Sequence, residues 1–401
     1  MENNQNTTKW YSLAGIWFGG IVSVPALLVG STLIASLRFN HSIWAGLIGF
    51  SFVVLFMSLL SIAAVEKRKA TVSLASSSFG VNGAKLIVGL IIGLSTIGWF
   101  GIQSNIAGAS FSKIVVEMNG PEIPVWLSSV FWGSIMVLTA VFGFKYLKWL
   151  NYIAVPAIVV LLIYGLVITF QTHSIQEIIN FTPKEKMPLL QAIGFTIGFI
   201  SVGGVISPDY NRFAATKKDA ILGSIFGIIP SALCLLAIGA ILAITQGTYD
   251  IVEIFSTLGF PFLAMSILIL ATWTSNVMNI YSSGLAFNNL LNQGDKNRSK
   301  TTLIVGLFGI LLAALGVLSH FMSFISLLTI TITPIAGVMI SDYFISKTYR
   351  EDARKFNWKG IFSWISGVIL MISMTSQIKN IIGIISAAIV YYILQKINKD
   401  I

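Results

Sequence analysis

Residues 18–25 read FGGIVSVP and fall inside the first long apolar run of the chain. Glycine brings no side chain to hold a helix, and proline removes an N–H and crowds the preceding turn. A break at this point frees backbone N–H and C=O groups. In hydrocarbon each unpaired group costs several kcal/mol, so a break survives only where protein, water or a ligand supplies the missing partner. The meaning of the stretch therefore depends on whether the run lies in a membrane.

Composition puts it there. Of 401 residues, 10% are charged and 55% are hydrophobic, and the mean hydropathy is +0.85, whereas ordinary soluble domains are roughly 25% charged. Apolar stretches near the roughly 20 residues needed to cross a bilayer recur along the length, too long and too close together for buried strands. Twelve spans are expected, at 12–37, 42–65, 84–112, 124–144, 148–170, 189–212, 219–244, 257–290, 302–318, 321–345, 358–376 and 380–397. The fold class is all-α integral membrane, with one polytopic domain over 1–401. The start MENNQNTTKW has one lysine and no small-residue cleavage site, so the first run reads as a span and not as a removable signal. The single Cys234 lies in an apolar segment and is expected as a small packed side chain.

The net charge of +10 matters less than its location. Twelve spans put both termini on one side. If that side is the cytoplasm, the outer segments hold only Arg38, Lys113, Lys184, Lys186 and Lys379 of the 25 basic residues, as the positive-inside rule requires. The expected location is the inner (plasma) membrane, multi-pass, with N- and C-termini cytoplasmic. The basic charge is then topology and gives no reason to expect nucleic acid. No Walker motif is present, so no ATPase subunit is implied, and no catalytic cluster lies at membrane depth, which argues against an enzyme.

The opening stretch has a counterpart at 203–208, GGVISP, inside the sixth span. Five spans is an odd number, so the two halves run in opposite directions through the membrane, the hydropathy sign of an inverted repeat. This divides the chain into an N-terminal segment 1–11, a first repeat 12–170, an inverted second repeat 189–345 and two accessory helices over 358–397. Two breaks in matching positions point to one central site. Gly15 with Gly19, and Gly89 with Gly93, have instead the spacing of close helix packing.

Span 3 contains STIGWFGIQSN, where Trp99 and Gln103 are four residues apart and share a helix face. Span 8 contains ATWTSNVMNIYSSG, with Asn276 and Asn279 three apart and Thr274 and Ser275 just before them; span 6 adds Phe199 and Ser201. These groups are neutral, flat or amphipathic, and offer stacking faces with amide and hydroxyl edges. Their complement is a small, flat, uncharged heterocycle. Asp209 and Asp342 lie at span ends, and His41, His173 and His320 near boundaries, so no titratable group sits at depth for proton coupling. Sodium, by contrast, can be held by carbonyls of a broken helix and nearby hydroxyls without a carboxylate; Thr274 and Ser275 opposite the break at Gly19–Val22 would serve. Proton-coupled or uncoupled transport stays open. No other cofactor is expected, and the lipid bilayer and the substrate are the expected partners of a monomer.

At these residues the chain resembles the nucleobase cation symporter-1 family, which includes cytosine, purine, uracil, thiamine and allantoin permeases, and its cytosine permease branch above all. GWFG at 98–101, GFIS at 198–201, PDYNRFA at 208–214, TWTSN and NIYSSGLAF within 272–287, and TPIAGVMISDYF at 333–344 look like that family's signatures in order. The resemblance implies twelve helices in the five-plus-five inverted-repeat (LeuT-like) transporter fold, with discontinuous helices 1 and 6. It further implies secondary active import of a cytosine-like heterocycle by cation symport and alternating access. By position, Trp99 would stack on the substrate, and Gln103 and Asn276 would hydrogen-bond it. The sodium site would fall on carbonyls of Gly19, Val22 and Ala271 with the hydroxyls of Thr274 and Ser275. Two positions depart from the pattern. Ile200 stands where many members carry an aromatic, so the second stacking face rests on Phe199, and Val277 stands where the cytosine permease pattern looks acidic. A hydroxymethylpyrimidine thiamine precursor, an allantoin- or hydantoin-like ureide and a purine are the alternative substrates, with the proton as alternative ion.

Overall fold

The computed structural model describes residues 7–142, 147–257, 260–350, 354–374 and 379–397. Residues 1–6 of the N-terminal segment and the expected ends of span 4 at 144 and span 11 at 376 lie outside the described residues. The first span is two helices, α1 (Trp10–Ile21) and α2 (Val24–Ile34), bent by 62°. Between them Ser23 is extended, at φ −152° and ψ 159°, and Pro25 enters α2 in its first turn, where a missing N–H leaves no bond unmade. At the end of α1 the Phe18 carbonyl accepts from the Val22 N–H at 3.0 Å, and the Ile21 carbonyl accepts from the Ser23 hydroxyl at 3.2 Å. The carbonyls of Gly19 and Gly20 accept no hydrogen bond among the described residues.

The chain continues through α3 (Phe39–Lys67), α4 (Thr71–Phe79) and α5 (Val81–Ala84), which runs by a π turn at Lys85–Gly89 into α6 (Leu90–Glu117). Then follow α7 (Val125–Phe142), α8 (Leu147–Thr172), the short α9 (Ile175–Asn180), α10 (Leu189–Asn211) and α11 (Lys217–Gln246). After the short α12 (Ile251–Ser256) come α13 (Pro261–Leu290), α14 (Arg298–Ala314), α15 (Phe321–Ile340), α16 (Trp358–Ser373) and α17 (Lys379–Ile397). Each expected span has its helix. The ninth starts and ends four residues early, because Gly316, at φ 73°, turns the chain after α14.

The expected break in span 6 does not occur: α10 is one helix from Leu189 to Asn211, through GGVISP. The proline N–H that is missing at 208 would have bonded the carbonyl four residues back, that of Gly204, and it is lost in the last turns of the helix, where few bonds depend on it. Gly204 packs instead of hinging, since a Cβ there would stand 2.4 Å from the Phe56 ring. Helix 1 alone is discontinuous among the two.

Packing follows the inverted symmetry. α10 lies on α3 as α1 lies on α11, while α6 and α13 pack along each other and carry α7 and α14. Two bundles result, one of α1, α2, α3, α10 and α11, the other of α6, α7, α13 and α14; α16 and α17 pack on α15. A buried amide ties the first bundle. Asn211 accepts from the Trp17 indole N–H at 3.1 Å and donates to the Ser61 and Ser224 hydroxyls at 2.7 and 3.0 Å, so one side chain joins α1, α3, α10 and α11. The N-terminal segment adds a clasp: the Thr8 N–H donates to the Phe213 carbonyl at 2.8 Å, and the Ala215 N–H to that of Thr8 at 2.9 Å.

The close approaches fall on other glycines than expected. A Cβ on Gly15, Gly19 or Gly89 would meet nothing within 4 Å, and of the two expected pairs only Gly93 packs, against Phe287. Cys234, expected as a packed side chain, is exposed on α11. The helices α2 and α11 cross backbone to backbone, where a Cβ on Gly239 would stand 2.1 Å from the Leu27 carbonyl oxygen. Gly239→Ala must push the two helices apart, at a cost of about 1–3 kcal/mol, and will lower the thermal midpoint of the purified protein, whereas Gly15→Ala will not. An unchanged midpoint for Gly239→Ala would show that the backbones do not meet there.

Candidate functional site

The bend between α1 and α2 faces α6, α10 and α13 across a cavity of about 1110 Å³. That exceeds the roughly 300–1,000 Å³ of a small-molecule pocket, because the space runs on to one end of the molecule. Its inner wall carries Gly19, Val22, Trp99, Gln103, Phe199 and Ser275, and its mouth Lys85, Asp209, Asn289 and Gln293. The mouth opens at the end where α3 finishes in Lys67 and α11 begins in Lys217, the end with the basic loops. Lys85 and Asp209, both at the mouth, are the only charged groups among the described lining residues.

The opposite end is closed by rings. Trp99 meets Phe199 edge-on, with centroids 5.8 Å apart and planes at 79°, and meets Phe321 and Phe324 of α15 at 6.0 and 5.3 Å. Phe321 also stacks edge-on to Phe195 of α10 at 5.8 Å. Phe324 comes close because α6 has Gly98 under it: a Cβ there would lie 2.2 Å from the ring. α15 thus forms a plug between the two bundles, with Trp99 as its floor toward the cavity.

Two amides are oriented by their neighbours. Gln103 is 3% exposed, and its Oε1 accepts from the Ser275 hydroxyl of α13, a contact that joins the two longest-packed helices. Its Nε2 has no hydrogen bond among the described residues, which leaves two N–H donors at the cavity wall. Asn279 donates through Nδ2 to Oδ1 of Asn276 at 3.4 Å, which leaves its own oxygen as acceptor. Asn276 is fully buried and donates to the Phe100 carbonyl at 3.0 Å and the Ser104 hydroxyl at 2.9 Å, both on α6.

Of the residues expected to touch substrate, Trp99, Gln103, Phe199 and Asn279 line the cavity together; Asn276 and Ser201 do not. Ser201 is buried and bonds the Gly198 carbonyl at 2.8 Å on its own helix. Ile200 lines the cavity beside Phe199, and Val277 is fully buried away from it. The expected ion ligands Gly19, Val22, Ala271, Thr274 and Ser275 all line it. The Thr274 hydroxyl donates to the Ala271 carbonyl at 2.9 Å, and the Ser275 oxygen, whose proton goes to Gln103, lies 3.1 Å from that carbonyl, so three oxygens sit within one turn of α13. Sequence reasoning did not single out Phe321, Phe324 or Asn211. The phenylalanines are three apart on an apolar helix, a spacing shared with any lipid-facing pair. Asn211 carried a signal, a lone amide next to a span end within PDYNRFA.

Known proteins resemble the chain in sequence and in fold. A family model described as permease for cytosine/purines, uracil, thiamine and allantoin matches residues 1–394. The chain is 27% identical over 349 residues to the cytosine permease of Escherichia coli (strain K12), covering 86% of this chain and 81% of that one. Its fold matches Mhp1 in the inward facing conformation with a TM-score of 0.86 and 19% identity, over 100% of this chain and 94% of that one. For Mhp1 in a closed conformation with bromovinylhydantoin bound the TM-score is 0.79, at 20% identity, with 98% and 95% covered. A family match over residues 1–394, with the fold shared over the whole chain, leads to one conclusion: the chain belongs to the family of permeases for cytosine/purines, uracil, thiamine and allantoin.

Proposed function

We propose that this permease is a secondary active transporter that imports a small, flat, uncharged heterocycle by cation symport and alternating access. The observation that carries the reading is the inner wall of the cavity, where an indole face, an amide donor and an amide acceptor converge with no charge among the described lining residues at that depth. Trp99 supplies the stacking face and Phe199 closes over the other edge. The Gln103 N–H groups match a ring carbonyl, and the Asn279 oxygen matches a ring or exocyclic N–H. That alternation of C=O and N–H is the edge of a pyrimidine, a hydantoin or a ureide. Cytosine-like substrates are the first choice, because the E. coli relative is a cytosine permease; a hydantoin-like ureide is second, because Mhp1 was solved with bromovinylhydantoin bound. A hydroxymethylpyrimidine or purine would use the same edges.

Asn276 acts behind this wall. It holds α13 on α6 and turns Asn279 toward the cavity, while Ser201 serves its own helix. Sodium is the coupling ion in this reading. The donor set at Gly19, Val22, Ala271, Thr274 and Ser275 is all oxygen, which suits a hard cation, and the Gly19 carbonyl accepts no hydrogen bond among the described residues. Ser275 is common to the two sites, since its hydroxyl bonds Gln103. A cation on the Ser275 oxygen leaves the hydroxyl proton to Gln103 and so fixes the substrate amide. The cavity mouth at the basic end supports a cytoplasm-facing state with both termini cytoplasmic in a plasma membrane, and the unit is a monomer.

Three outcomes test this. Gln103→Ala will weaken binding of the transported heterocycle by about 1–3 kcal/mol, or roughly 5- to 150-fold, read as the loss of ligand-induced thermal stabilisation in a screen of cytosine, hydantoin, allantoin, hydroxymethylpyrimidine and purines; unchanged affinity removes Gln103 from the site. Uptake into vesicles will collapse when sodium is replaced by choline with the proton gradient intact, and undiminished uptake would overturn sodium coupling. Ser275→Ala will reduce both the sodium dependence and the heterocycle affinity, whereas a loss of one alone would separate the two sites.

A further inference from the structure

A second cavity lies outside the transport path, on the outer side of the bundle formed by α6, α13 and α14. It is a groove of about 630 Å³ with two chemically distinct ends. One end is apolar, walled by Leu94 and Ile97 of α6 and by Ile304, Phe308 and Leu311 of α14. Leu94 is 52% exposed, Ile304 46% and Phe308 60%, so this wall faces the surroundings of the protein rather than another helix. The other end carries Gln293, Asn297, Lys300 and Thr301, and no carboxylate is among the described lining residues. Water does not cover such a wall in a membrane protein. Something amphipathic does.

We infer that the groove holds one anionic phospholipid of the leaflet at the basic-loop end, with a chain against α6 and α14 and its phosphate at Lys300. Length fits one leaflet. From Lys300 to Leu311 along α14 is about 16 Å at roughly 1.5 Å per residue, and half of a hydrocarbon core of about 30 Å is about 15 Å. Charge fits a phosphate diester. Lys300 is exposed and has no ion pair or hydrogen bond among the described residues, while its neighbour Arg298 is engaged elsewhere: the guanidinium donates to the Tyr281 hydroxyl at 2.8 Å and lies 5.0 Å over that ring. Lys300 is therefore the cation the groove presents, beside the hydroxyl of Thr301 and the Asn297 amide. Basic residues between helices at the cytoplasmic face are a recurrent setting for anionic headgroups.

The polar end is also built, not loose. The Thr301 hydroxyl donates to Gln293 Oε1 at 3.2 Å, and the Asn288 amide donates to the Gln293 carbonyl at 3.1 Å, which fixes the turn between α13 and α14. Gln293 lines both the groove and the mouth of the central cavity. A headgroup at Lys300 thus sits on the turn that borders the mouth and braces it. This inference does not depend on the identity of the substrate or ion.

The test uses the full-length protein in neutral detergent, titrated with phosphatidylglycerol or phosphatidylcholine, with binding read as the shift of the thermal midpoint. The wild type will gain more from phosphatidylglycerol. Lys300→Gln will weaken that lipid's apparent affinity about fivefold, the share of one basic residue near an anionic surface. Lys296→Gln, the same charge change on a residue outside the groove, will leave it unaltered. Ile304→Trp, which fills the groove without touching charge, will weaken both lipids, and it keeps the test open if Lys300→Gln folds poorly. Equal stabilisation of the wild type by the two lipids overturns the inference. So does an equal loss in Lys300→Gln and Lys296→Gln, which would mean diffuse attraction to basic loops, or an undiminished response in Ile304→Trp.

Discussion

The structure depends on one rule of the membrane interior: a backbone carbonyl left without a hydrogen bond there must be met by something else. At Gly19 and Gly20 the chain leaves such carbonyls without a hydrogen bond among the described residues. The bend lets α2 leave the axis of α1, so that two half-helices rather than one rod border the cavity. It also puts bare carbonyl oxygens at the depth where a rod would show only side chains. The side chains across from them, on α13, are short hydroxyls beside the Ala271 carbonyl.

Holding a broken helix in place demands strength elsewhere. Lipid gives no hydrophobic push between helices, so association comes from close backbone contact and buried polar bonds. Both occur around α1 and α2. Gly30 and Gly239 let α2 and α11 meet backbone to backbone, and Asn211 fastens α1 to three other helices through Trp17, Ser61 and Ser224. The second bundle is joined by the same kind of bond, with Asn276 of α13 reaching the backbone of α6. Between the bundles Trp99 meets Phe199, and beside them Phe321 and Phe324 of α15, in ring contacts that slide more easily than paired amides. Rigid bundles with a soft seam are what alternating exposure of a central site requires.

Much of this was legible in the sequence. Spans, their number and the inverted pairing follow from hydropathy and parity, because lipid allows little besides whole helices. Trp99 and Gln103 could be placed on one face because four residues turn a helix through about 400°, nearly a full circle. Asn276 and Asn279 could not be separated in the same way. Three residues leave them about 60° apart, and that angle straddles the edge between the α6 contact and the cavity. Which amide faces the cavity depends on how α13 is rotated against α6, a tertiary quantity that only packing determines. The phenylalanines of α15 were invisible for a related reason, since an aromatic ring on an apolar helix has the same pattern whether it meets lipid, core or a gate.

The misread break in α10 shows what decides between two like sequences. FGGIVSVP and GGVISP share glycines and a proline, yet only the first parts into two helices. In the first, Pro25 comes two residues after the extended Ser23, in the first turn of α2, where no N–H was required. In α10 the proline comes four residues after Gly204, so the one bond it deletes is the one to that glycine, and Phe56 seals the gap from the α3 side. The bulk that fills a glycine's empty side therefore decides its role. Gly19 and Gly20 face open cavity, with nothing within 4 Å of a Cβ, and the chain there is free to bend; Gly204 faces a ring, and the chain there is held straight.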